Sequence, residues 1–115
     1  MPTVTIWLGL DMKNLERLSL EGTAIEASTL ELVARLPRLK ELDLSQCPID
    51  DTALRSLKSL RTLETLWLSG TQVTAVSAPL IESLPKLTFV ALNDTQIPAA
   101  EAQELSQRIE RRSAK

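Results

Sequence analysis

Apolar residues recur along this chain at a mixed spacing of threes and twos that no single helix or strand produces. Residues 60–73 show it most fully, reading Leu-Arg-Thr-Leu-Glu-Thr-Leu-Trp-Leu-Ser-Gly-Thr-Gln-Val. The Leu-x-Leu at its centre has a period of two. It sends Leu66 and Leu68 to one face of an extended segment and Trp67 to the other. That centre predicts a short strand, and Thr71-x-Val73 predicts a turn that carries the chain away from it.

The stretch returns every 24 residues. Its central apolar position falls at Leu18, Leu42, Leu66 and Val90, and the position two along at Leu20, Leu44, Leu68 and Leu92. Three before the centre stand Leu15, Leu39, Leu63 and Leu87, and three before those Met12, Leu36, Leu60 and Leu84. A turn column holds Thr23, Cys47, Thr71 and Thr95, followed by Ile25, Ile49, Val73 and Ile97. A fixed period of this length predicts a solenoid, whose units complete a core only by stacking on one another.

The linking segments read as short helices. Ser28-Thr-Leu-Glu31 has the form of a capping box, Leu30, Val33 and Leu36 follow at helical spacing, and Pro37 marks a stop. The second helix is expected from about Asp51, capped by Asp50 or Asp51, with Leu54, Leu57 and Leu60 inward. The third is expected from about Ser77, with Pro79 tolerated in its first turn and Leu80, Ile81 and Leu84 inward. Strand, turn and helix in alternation predict an α/β chain of about four repeats. Its strands run parallel in a concave sheet, with helices on the convex side and right-handed crossovers.

The residues that carry this pattern resemble the leucine-rich repeat family. Residues 39–51, Leu-Lys-Glu-Leu-Asp-Leu-Ser-Gln-Cys-Pro-Ile-Asp-Asp, are similar to the cysteine-containing variant. Residues 68–73, Leu-Ser-Gly-Thr-Gln-Val, resemble bacterial members. The resemblance spans roughly residues 12–109. It is specific for fold and nearly silent on function, because the family binds many unrelated partners.

One domain is expected over 1–115, with repeats over 12–97 and a cap at each end. In residues 1–11, Val4, Ile6, Leu8 and Leu10 alternate with Thr5, Trp7 and Gly9, as a covering strand would; a 24-residue shift also reads them as the returning half of an incomplete unit. Residues 98–115 read as a capping helix opened by Pro98, with Ala102, Leu105 and Ile109 inward and a polar outer face. In it Arg108 replaces the apolar column of Leu36, Leu60 and Leu84. Arg108, Arg111, Arg112 and Lys115 suit the negative end of a helix.

Composition narrows the chemistry. The 43% hydrophobic content is almost wholly aliphatic; the aromatics are Trp7, Trp67 and Phe89. A net charge of −2 gives no electrostatic ground for a nucleic-acid or anionic-membrane partner. No apolar run reaches the ~20 residues of a spanning helix, and no basic segment precedes the apolar N-terminus as in a secretory signal. With one cysteine, Cys47, an internal disulfide is impossible, which favours a reducing, cytoplasmic setting. Cys47 in the turn column reads as a buried thiol. No histidine is present to activate it or to join a metal cluster, so neither enzyme activity nor a cofactor is expected.

The strands point three columns of side chains outward: Arg17, Glu41, Thr65, Phe89; then Ser19, Asp43, Trp67, Ala91; then Glu21, Ser45, Ser69, Asn93. Two of the three aromatics therefore face solvent as diagonal neighbours on adjacent strands. Small Thr65, Ala91 and Ser69 surround them, and Glu41, Asp43 and Glu21, offset by Arg17, form an acidic flank. An aromatic centre with a charged margin is the anatomy of a protein-binding patch. The alternatives are a structural or self-associating unit, as a fragment of a longer array or a homo-oligomer through residues 1–11, and an enzyme inhibitor whose acidic flank mimics an anionic substrate.

Overall fold

The computed structural model describes residues 13–114. Four three-residue strands form one parallel sheet in chain order: β1 (Arg17–Ser19), β2 (Glu41–Asp43), β3 (Thr65–Trp67) and β4 (Phe89–Ala91). Leu18 stands beside Leu42, Leu42 beside Leu66, and Leu66 beside Val90. The sequence period is therefore the register of the sheet. A slip of one residue would turn every inward leucine to solvent.

Between the strands run α1 (Ala27–Val33), α2 (Asp51–Leu54) with a 3₁₀ turn at Arg55–Ser59, and a 3₁₀ turn at Ala75–Ser77 leading into α3 (Ala78–Ser83). After β4 comes α4 (Ala99–Glu110), with a 3₁₀ turn at Arg111–Ala114. The inward leucines of the strands meet Leu30, Val33, Leu54, Leu57, Ile81, Leu84, Leu105 and Ile109 in one continuous buried cluster. Each helix is too short to persist alone and is held by this packing.

The turns are repeated as faithfully as the strands. Gly22, Gln46, Gly70 and Asp94, again 24 residues apart, all adopt left-handed backbone, with φ of 73°, 61°, 74° and 59°. The hydroxyls of Thr23, Thr71 and Thr95 donate to the carbonyls of Leu20, Leu68 and Leu92. Cys47 differs: its thiol donates to the Leu20 carbonyl of the preceding repeat, at 3.0 Å.

Two expectations about caps change. Glu26, in extended backbone, is the N-cap of α1, and no side chain bonds the free amides there. Ser28 and Glu31 thus lie inside the helix rather than at its cap positions, and the capping box does not form. Asp50 does cap α2, accepting from the Ala53 amide at 3.0 Å. Asp51 is left to reach the next repeat. It accepts from the Thr74 amide at 2.9 Å, the Thr74 hydroxyl at 2.6 Å and the Ser77 hydroxyl.

At the C-terminal end Leu105 and Ile109 are buried, while Arg108 is exposed and pairs with Glu82. Arg112 donates to the carbonyls of Leu84, Leu87 and Glu82, all from the repeat before it. Its role is therefore to satisfy backbone acceptors as well as to complement the helix dipole. The expected N-terminal cap, residues 1–11, lies outside the described residues.

Candidate functional site

Parallel pairing at constant register lines up the outward side chains across the sheet. In the first column Arg17 and Phe89 are exposed and Glu41 and Thr65 half-buried; in the second Ser19 is exposed and Asp43, Trp67 and Ala91 are half-buried. In the third, Glu21 and Asn93 are exposed and Ser69 is half-buried. Ser45 departs from the expected outward column. Its short side chain, in the turn that follows β2, is buried.

Trp67 and Phe89 meet with ring centroids 6.2 Å apart and planes tilted at 57°. Tilted pairs at this separation are attractive through the ring quadrupoles. The pairing does not hide them. Phe89 keeps 37% of its surface exposed, and among the described residues only Val76, in the 3₁₀ turn before α3, is another exposed large hydrophobic.

Beside the rings the sheet forms a hollow of about 360 Å³, lined by Arg17, Leu18, Ser19, Glu41, Asp43 and Trp67. Trp67 is its apolar wall and the two carboxylates its polar one. Arg17 Nε lies 3.4 Å from Glu41, but the arginine side chain is 80% exposed, so this pair holds Glu41 only weakly. Asp43 accepts from the Ser45 amide at 2.9 Å, which orients its carboxylate. The structure thus gathers seven of the eight sequence candidates around one aromatic pair and its acidic margin: Trp67, Phe89, Asp43, Glu41, Thr65, Ala91 and Arg17. Ser69, the eighth, sits at the upper edge of the same face.

Chemistry elsewhere is spare. Cys47 is 1% exposed, and burial pushes its thiol pKa up, so it is held neutral rather than reactive. Among the described residues no group of His, Cys, Asp and Glu could hold a metal ion. Among the described residues no helix is long and apolar enough to cross a membrane. Sequence reasoning missed the contact of Asp51 with Thr74 and Ser77, because a capping rule looks only along one helix.

A family model described as Leucine Rich repeat matches residues 36–58, the repeat that contains Cys47. A search of curated proteins finds no match. Among solved structures, the tropomodulin C-terminal domain of Caenorhabditis elegans is similar over 93% of this chain and 89% of its own, with a TM-score of 0.58 at 12% identity. An internalin (inlF) of Listeria monocytogenes is similar over 84% of this chain and 34% of its own, with a TM-score of 0.53 at 20% identity. At these identities the likeness is one of fold.

Proposed function

Since the chain is a leucine-rich repeat protein, we propose that it binds a protein partner on the concave sheet through Trp67 and Phe89. Leucine-rich repeat domains generally mediate protein–protein interaction and are typically non-enzymatic. The observation that carries the finer reading is the ring pair itself, left accessible on a face whose other side chains are small or charged. Phe89 keeps 37% of its surface and Trp67 a smaller share, so covering both rings removes on the order of 150 Å² from water. At ~25 cal/mol per Å² that amounts to several kcal/mol before association costs.

The acidic margin sets the partner's chemistry. An extended or helical segment would lay an apolar side chain over Trp67 and Phe89 and a Lys or Arg beside Glu41 and Asp43. A cation seated in the hollow would also meet the Trp67 ring. Thr65, Ala91, Ser69 and Arg17 complete the contact. The proposed setting is the cytoplasm, where an unpaired thiol such as Cys47 stays reduced.

The test is affinity capture with wild type and a Trp67→Ala/Phe89→Ala variant. The variant is expected to keep its far-UV circular dichroism and to lose about tenfold or more of partner recovery. Undiminished recovery by a folded variant would refute the reading.

A further inference from the structure

The hollow beside the ring pair already borders on one guanidinium, loosely held. Arg17 is the register partner of Glu41, and its Nε lies 3.4 Å from Glu41 Oε2 while the side chain stays mostly in solvent. The carboxylates have acceptors to spare. Asp43 Oδ1 takes the Ser45 amide at 2.9 Å, and neither Asp43 Oδ2 nor the second oxygen of Glu41 has a hydrogen-bond donor among the described residues. Trp67, the register partner of Asp43 on the next strand, walls the same space.

These three groups select among cations. Glu41 and Asp43 stand two apart on β2, on one face and about 7 Å from each other. An occupant that meets both and also lies on the indole must be flat and must donate in more than one direction. An ammonium is a compact point of charge. A guanidinium stacks on an aromatic face and spreads five donors in a rigid fork. The register also sets the distance to the apolar anchor. Phe89 stands on β4, two strands from Glu41 and Asp43, about 10 Å across the sheet. Positions i and i+7 of a helix lie about 10 Å apart along one face.

We propose that the hollow is a socket for one arginine of the partner, carried on a helix about seven residues from an aliphatic side chain that covers Phe89, and that Arg17 competes for the socket. The inference rests on the reading of Trp67 and Phe89 as a binding face and specifies what that face takes. Arg17 opposes binding in two ways: it occupies an oxygen of Glu41, and its charge repels the incoming one.

The test titrates the full chain with blocked, alanine-based helical peptides, read by the Trp67 indole NMR signal. Each carries one leucine and, about seven positions on, arginine, lysine or glutamine. The arginine peptide is expected to bind about tenfold tighter than the glutamine peptide and about threefold tighter than the lysine peptide. Asp43→Asn is expected to weaken the arginine peptide by about fivefold or more. Arg17→Gln is expected to tighten it by about two- to fivefold, the size of an exposed ion pair. Circular dichroism checks that each variant is folded. Absence of binding, equal affinity for arginine and lysine, or no gain from Arg17→Gln overturns the proposal. Equal affinity for all three peptides that Trp67→Ala/Phe89→Ala still abolishes removes the socket and leaves the binding face standing. Arginine-peptide binding that this double variant does not weaken overturns both.

Discussion

Gln46 carries a side chain through a turn that the first and third repeats make with glycine. Its φ of 61° lies in the left-handed region, where a Cβ costs roughly 1–2 kcal/mol. Gln46→Gly is therefore expected to raise stability by about 1 kcal/mol, read from the urea midpoint. The converse change is Gly70→Ala. A Cβ there would stand 2.3 Å from Gln46 Nε2, so the glutamine amide must move aside while the strain at φ 74° remains. A loss of about 1 kcal/mol is expected, and Gly22→Ala, with open space around it, isolates the backbone part of that cost.

Between elements the strongest polar link is Asp51. Burial pulls its pKa up, but hydrogen bonds from Ser77 and Thr74 outweigh this and hold the carboxyl below its ordinary 3.8. A depressed carboxyl contributes stability above its unfolded pKa, and that contribution fades as pH falls through the folded value. Asp51→Asn is thus expected to cost about 1–3 kcal/mol at neutral pH. The gap from wild type should narrow below about pH 4, as thermal melts over a pH series would show. At the last repeat, Arg112→Met takes the guanidinium donor away from the Glu82, Leu84 and Leu87 carbonyls, of which Leu84 keeps the Leu87 amide, and is expected to cost about 2 kcal/mol, concentrated in α4 and visible by amide exchange.

These cases also separate what could be read from the chain itself. Strand positions, register and inward leucines were legible because a residue's neighbour across the sheet is always its counterpart 24 positions away. The left-handed turn position one residue before the Thr/Cys column was half legible, since glycine marks it at 22 and 70 but Gln46 and Asp94 do not. The start of α1 was misread because Ser28 and Glu31 satisfy a local rule that backbone packing overrides at Glu26. The bond from Asp51 to Ser77 was hidden because it joins different repeats, 26 residues apart, through side chains that occur in no other copy. The candidate site was legible as a map of columns. Its tilt, its hollow and the burial of Ser45 needed the coordinates.

At the scale of the whole molecule, four repeats make a wall with two unlike surfaces. One carries accessible rings and carboxylates, and the other is a row of short helices whose apolar sides are spent on the core. The account turns on which surface meets a partner. The most direct measurement is residue-resolved NMR shift mapping of the chain with a captured partner. Shifts are expected at the Trp67 indole, Phe89, Glu41 and Asp43, with the helices Ala27–Val33 and Ala78–Ser83 silent. Shifts confined to those helices, with the Trp67 indole unmoved, would contradict it.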